Sequence, residues 1–301
     1  VFNIQTQNFL MDDSLQDLTK HHTIVMPVAC YEKTIKNHLH GYIPLHWHDE
    51  IQFVLIIKGE ALFQVNEEWV VVRQGDGLFI NSGCLHMTKE HGSSDCLYIC
   101  LNVSPHFVLS QELYTTYVKP LIHATNVPYL YIHADDPLEK NILNAVLEIH
   151  KCIEQKSLFY EIDITMKLTS VWKHLIANCF HLECIETEWL KNQRMKNMLS
   201  WIHQHYAEKI TLEDIAKAGQ LSRSECCRYF KRFLKCSPLH YVIDYRIQKS
   251  LYLLQQRDAS VTDISYQVGF NSTSYFISRF RHAMKMTPLA YKKQKNKERQ
   301  H

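Results

Sequence analysis

Glycine and proline are scarce in this chain, with eight of each in 301 residues. That scarcity excludes long low-complexity linkers and Pro-rich or collagen-like segments. Long apolar runs are missing as well. None reaches the roughly 18 residues that a membrane-spanning helix needs, so no membrane partner is expected. The start, "VFNIQTQNFLMDD", lacks a basic end followed by an apolar core, so no secretory signal is read there. There are ten cysteines, but no C-x-x-C pair. Cys96 and Cys100 are four apart, Cys226 and Cys227 are adjacent, and the rest are scattered. That spacing excludes a zinc ribbon or a disulfide framework and points to a reduced, cytoplasmic protein. No phosphate loop, nucleotide fingerprint or Ser–His–Asp signature is present, so the chain is not read as an enzyme.

Charge of one sign is short in each half. The net charge of +2 conceals an uneven distribution. Residues 1–190 carry 12 Lys/Arg against 23 Asp/Glu, a balance of −11. Residues 191–301 carry 21 against 8, a balance of +13. A basic C-terminal third selects a polyanionic partner. A solvated basic tail accounts only for the final "KKQKNKERQH".

The pattern divides the chain into three. Up to residue 135, after a loose N-terminal arm, short β-rich runs are cut by turn signals at Lys58-Gly59, Asn66-Glu67 and Gly75-Asp76-Gly77. Turns every 8–9 residues suit a small antiparallel barrel or jelly roll. Residues 136–190 change to a helical period, with Ile142, Val146, Ile149 and Ile153 on one face behind Pro137. These helices either cover the barrel or form a dimer interface. Residues 191–301 read as helices with short loops. The fold class expected is α+β and multi-domain.

The last third contains a repeat. Asp214 and Ile215 match Asp263 and Ile264, and Leu221 matches Phe270, at an offset of 49. After one residue is gained in the turn, Cys226, Phe230, Ser237-Pro238-Leu239 and Tyr241 match Phe276, Phe280, Thr287-Pro288-Leu289 and Tyr291 at an offset of 50. Each copy reads as helix, tight turn, helix, with Thr211 and Ser222 as caps in the first. Cys226, Phe230 and Phe233 form the buried stripe of one second helix; Phe276 and Phe280 form that of the other. Arg223, Ser224, Cys227, Arg228 and Lys231 face outward in copy one. Thr273, Ser274, Ile277, Ser278 and Arg281 do so in copy two. This is the helix-turn-helix plan, whose second helix enters the DNA major groove. Arginine forks onto guanine, and short hydroxyls reach base edges. Ile277 either touches a thymine methyl or packs on a neighbouring helix. Arg223, Lys231, Arg232, Arg246, Arg279 and Arg281 are assigned to phosphates. About 18 helical residues join the copies, a rod of roughly 27 Å.

Upstream, "PLHWHDEIQF" spaces His46, His48 and Glu50 by two, which would place them on one strand face. Histidines so placed either hold a metal or line a polar pocket.

The paired units, above all "DISYQVGFNSTSYFISRFRHAMKMTPLAY", resemble the AraC-type transcription regulators over about 100 residues. Ile264, Gly269-Phe270, Tyr275-Phe276, Phe280 and Thr287-Pro288 carry the match. The resemblance implies two helix-turn-helix subdomains joined by a long helix. It implies base contacts from Ser224, Cys227 and Arg228, and from Thr273, Ser274, Ile277 and Ser278. The N-terminal half resembles that family's cupin effector domain. His46 and His48 match the first cupin motif and His86 the second. Gln52 stands where metal-binding cupins have Glu, and Ser82 where the second motif has Pro. The implied assembly is a homodimer on promoter half-sites of double-stranded DNA, activating a metabolic, carbohydrate-type operon with RNA polymerase. A polar organic effector such as a sugar is expected against His46, His48, Gln52 and His86. No cofactor is expected; the alternative is a metal-binding cupin, a sensor or less plausibly an enzyme, with a divalent ion on His46, His48 and His86.

Overall fold

The computed structural model describes residues 26–37, 41–92, 95–177, 181–256 and 259–298. The N-terminal arm expected before the barrel lies outside the described residues as far as residue 25. The chain divides into two compact units between Asn192 and Gln193.

The first unit is built on strands β1 (Val28–Thr34), β2 (Tyr42–His46), β3 (Ile51–Lys58), β4 (Glu60–Val65), β5 (Glu68–Arg73), β6 (Gly77–Ile80), β7 (His86–Glu90), β8 (Leu97–Val103) and β9 (Tyr129–Ile132). They form two antiparallel sheets, ordered β1-β8-β3-β6-β9 and β2-β7-β4-β5. Strand β3 reads "IQFVLIIK" without the usual alternation because both of its faces are covered. Val54 and Ile56 point into the space between the sheets, where they meet Phe63, Val65, Leu78, Ile80 and Tyr98. Ile51, Phe53 and Leu55 point the other way, into a second core.

That second core is closed by helices α1 (Pro137–Gln155) and α2 (Tyr160–Ala177). Asp136 caps α1 by accepting from Leu138 N and Glu139 N, with Pro137 at the first helical position. Ile142, Val146 and Ile149 of α1 and Leu168, Val171 and Trp172 of α2 lie against the β3–β8 face. Trp172 Nε1 donates to Tyr117 O at 2.8 Å. Of the two roles open to these helices, covering the barrel is therefore in place. Gly77 permits the close approach: a Cβ there would lie 2.5 Å from Val54 O and 2.6 Å from Leu143 Cδ2.

The second unit contains α3 (Glu186–His205, which begins before the boundary), α4 (Leu212–Ala218), α5 (Arg223–Leu234), α6 (Pro238–Gln256), α7 (Val261–Gln267), α8 (Thr273–Met284) and α9 (Pro288–Glu298). The repeat is literal: α4 and α7 each have 7 residues, and α5 and α8 each have 12. Capping boxes start α4, α5 and α7 through Thr211/Asp214, Ser222/Glu225 and Ser260/Asp263. Both 12-residue helices end on a left-handed lysine, Lys235 at φ 57° and Lys285 at φ 58°. The core of the second copy gathers Leu251, Ile264, Val268, Phe270, Phe276 and Phe280. Fully burying each phenylalanine stabilises the fold by about 1.5–3 kcal/mol. The basic stretch from Lys292, expected as a solvated tail, continues α9 as far as Glu298.

Candidate functional site: histidine cluster and nucleic-acid interface

In the first unit, strand pairing assembles the histidines. His46 at the end of β2 sits opposite His86 at the start of β7. His48 follows in the bend after β2. That bend is tied to the loop before β7: Ser82 Oγ donates to Asp49 O at 2.8 Å, and Gly83 N donates to His48 O at 2.9 Å. Ser82, which departs from the motif's proline, thus holds the two histidine-bearing loops together. All three histidines are buried. Ring centroids lie 4.1 Å apart for His46–His86, 4.9 Å for His48–His86 and 5.8 Å for His46–His48.

The outer nitrogen of each ring meets a backbone carbonyl two residues away. His46 Nδ1 is 2.8 Å from Pro44 O, His48 Nδ1 is 2.9 Å from Glu50 O and His86 Nδ1 is 2.9 Å from Cys84 O. A carbonyl can only accept, so each Nδ1 carries a proton, and a neutral ring then presents its lone pair at Nε2. Gln52 completes the group, its Oε1 3.1 Å from His48 Nε2. Glu50 does not join the inner face expected from its spacing. The strand ends at His46, and Glu50 Oε2 stands 3.7 Å from His48 Nδ1, behind the ring. Sequence reasoning missed two buried polar residues, Thr88 and Asn102. They share strand parity with His86 and with the inward Cys100, a signal visible only once the register is known.

In the second unit the outward faces are distributed as follows. On α5, Arg223, Ser224, Arg228, Lys231 and Arg232 are exposed and Cys227 is half-buried. The Arg228 side chain is 76% exposed, and its Nη2 lies 3.8 Å from Glu225 Oε1. A pair this loose and solvated is worth little, so Arg228 can leave it for a base at small cost. On α8, Ser274, Ser278 and Arg281 are exposed. Thr273 is half-buried, its hydroxyl 3.0 Å from Ser265 Oγ on α7. Ile277 is half-buried and packs against the core of the second copy, the plainer of the two roles open to it.

Two arginines assigned to phosphates have other work. Arg246 Nε donates to Tyr206 O and its Nη2 to Glu208 O, both at 2.7 Å. It ties down the turn that follows α3. Arg279 Nη2 is 3.0 Å from His240 Nε2, bracing α8 against α6. This geometry places two of the guanidinium nitrogens of Arg246 on backbone carbonyls and sets Arg279 as a strut between α8 and α6.

A β-barrel effector-binding unit followed by paired reading helices defines a DNA-binding transcription regulator. Residues 28–171 match the family described as the AraC-like ligand binding domain, and residues 215–294 match a helix-turn-helix domain. The uncharacterised HTH-type transcriptional regulator YdeC of Bacillus subtilis is 65% identical over 287 residues, covering 95% of this chain and 99% of the relative. The melibiose operon regulatory protein of Escherichia coli K12 is 24% identical over 260 residues, covering 85% of each chain. Among solved structures, ToxT from Vibrio cholerae O395 aligns with 14% identity and TM-score 0.44, over 88% of this chain and 96% of its own. The DNA-binding domain of AdpA, solved with a target DNA, aligns with 26% identity and TM-score 0.33, over 34% of this chain and 92% of its own. The chain belongs to the AraC-type helix-turn-helix transcriptional regulators. These are regulators, not enzymes. Among the described residues no helix is long and apolar enough to cross a membrane.

Proposed function

We propose that this regulator reads promoter half-sites with α5 and α8 and activates a metabolic operon when its barrel unit binds an effector. The exposure of Arg228 on the outer face of α5 is the observation that carries the DNA reading. Ser224, Cys227, Ser274 and Ser278 accompany it as base-edge contacts. Thr273 and Ile277 reach bases only at the margins of their partial exposure. Arg223, Lys231, Arg232 and Arg281 are all exposed, which supports phosphate contacts from them. Cytoplasmic location follows from this role. The activator and operon reading is supported by two relatives, the melibiose operon regulatory protein and the transcriptional activator RhaS of Klebsiella pneumoniae, 23% identical. A homodimer is supported by the apolar strip Phe159, Ile162 and Met166, all more than half exposed on α2 or just before it.

The test is a gel shift against the DNA upstream of this protein's own gene and neighbouring operons. Arg228→Ala costs about 1–3 kcal/mol of specific affinity, while non-specific binding is nearly unchanged. Equal loss on all sequences would reassign Arg228 to phosphate, and no loss would remove it from the interface.

A further inference from the structure

We infer that residues 181–185, the stretch of the first unit that leads into α3, form a releasable strap, clasped by Thr125 and Asn126 and tied through Asn81 to the bend that carries His48. Closed, the strap holds the regulator in its resting state; an effector that shifts the bend opens it. The role in regulation rests on the proposed function above. The clasp itself stands on hydrogen-bond geometry within one unit.

Three observations lead to it. The first is the clasp. Thr125 N donates to Glu183 O at 2.9 Å, and Ile185 N donates to Thr125 Oγ1 at 2.7 Å. Asn126 Nδ2 donates to His181 O at 2.8 Å, while its Oδ1 accepts from Glu183 N at 2.9 Å. A carbonyl accepts and a backbone N–H donates, so the orientation of the Asn126 amide is fixed. Two residues thus grip the strap by its backbone.

The second is the mounting of the clasp. Asn81 is buried. Its Nδ2 donates to Leu121 O at 2.8 Å and to Val127 O at 2.9 Å, carbonyls that bracket Thr125 and Asn126 in the chain. Its Oδ1 accepts from Ser82 N at 2.9 Å. Ser82 and Gly83 in turn donate to Asp49 O and His48 O. A path of hydrogen bonds therefore runs from the histidine bend to the strap through one buried amide. A buried amide is costly to leave without partners, so a displaced Ser82 carries the 121–127 segment with it.

The third is how lightly the strap is held. Glu183, Cys184 and Ile185 are exposed, and Leu182 is a half-buried anchor against the core beneath the helices. His181 enters the strap at φ 65°, a left-handed conformation strained for any residue but glycine. Exposed hydrogen bonds and a single apolar anchor mark a segment that opens well before the unit unfolds. Such a segment is the two-state element that coupling between distant sites requires. Released, residues 181–185 can extend to about 17 Å, which lengthens the tether on the paired reading helices.

The experiment follows hydrogen exchange over residues 181–185 in the full chain, with no effector added. Transcription is measured in parallel from a promoter that the chain binds in the gel shift. In the wild type the strap amides are protected. The double variant Thr125→Val/Asn126→Ala speeds their exchange about fivefold or more, leaves β3 and β8 unchanged and raises transcription. Asn81→Asp, which replaces the donor by a second acceptor, does the same from a distance. Ser82→Ala keeps the buried amide and gives a smaller rise in strap exchange if Asn81→Asp fails to fold. Thr165→Val, at an exposed position of α2, changes neither readout. An unprotected strap in the wild type overturns the inference, as does protection that neither Asn81→Asp nor Ser82→Ala disturbs. So does faster exchange in the clasp variant with transcription unchanged or lowered. Strap protection without DNA binding keeps the clasp and removes the regulator reading on which its role rests; DNA binding with an unprotected strap does the reverse.

Discussion

His203 shows how one residue can be misjudged from its type. Histidine in a basic DNA-binding unit invites assignment to phosphate or to a switch. Here it is buried in the second unit, stacked on Tyr245 at 3.8 Å, with Nε2 2.8 Å from Tyr241 Oη. Burial, with a smaller contribution from nearby Lys249, pushes its pKa down from 6.5 to about 3. The unfolded chain therefore binds a proton below pH 6.5 that the folded unit refuses. Stability contributed by neutral His203 is complete above pH 6.5 and is lost progressively as pH falls toward about 3. Urea unfolding of wild type and His203→Gln between pH 7 and 4 measures this. The wild type should lose more stability over that range than the variant, and parallel curves would refute the assignment. Arg246 teaches the same lesson. Its type and position on α6 suit a phosphate, but its guanidinium is used in the turn after α3, 40 residues earlier in the chain.

At the scale of elements, the two helix-turn-helix units are nearly self-explaining. Caps, turn and apolar stripe all lie within one short stretch, Thr211 to Phe233 in copy one and Ser260 to Phe280 in copy two, and each copy supports the reading of the other. The turns differ in one respect. The left-handed residue is Gln220 at φ 53° in copy one and Gly269 at φ 89° in copy two. Gly269 also lies under the backbone after α3: an added Cβ would stand 2.7 Å from Tyr206 O and 2.9 Å from Ala207 C. Gly269→Ala therefore combines a strained φ with overlap against unyielding backbone, a loss of about 2–4 kcal/mol. Gln220→Gly, where φ alone matters, should be neutral or slightly stabilising. Thermal melts of the two variants test the contrast. The barrel strands are less legible, because β3 is buried on both faces and shows no alternation to read.

For the whole molecule, charge decides how DNA is met. The overall balance of +2 would predict feeble attraction, whereas the +13 of residues 191–301 predicts strong attraction. Specific affinity should fall steeply between about 50 and 200 mM salt. Lys231→Ala should lower the slope of log K against log salt by about 1. Arg246→Ala should leave the slope alone and lower the melting temperature instead. A changed slope for Arg246→Ala would return that residue to the phosphate backbone. The rod between the reading units has 19 residues, about 28 Å, close to the rise of one DNA turn, so both units can address one side of a duplex.

The sequence by itself determined the β-rich first part, the helical last third, the paired reading helices and most of their outward faces; it set residues 136–190 apart, and only the structure packs their helices onto the barrel. Helical period, caps and a repeat are local properties, written within a turn or two of the chain. Only the tertiary structure decided what the histidines can hold. His46 and His86 are 40 residues apart and meet because β2 pairs with β7 in one register. A slip of β2 by one residue against β7 would turn His46 away from His86. Their spacing, the direction of each lone pair and the position of Glu50 behind His48 follow from that pairing and from the carbonyls at 44, 50 and 84. Non-local pairing of this kind leaves no periodic trace along the chain.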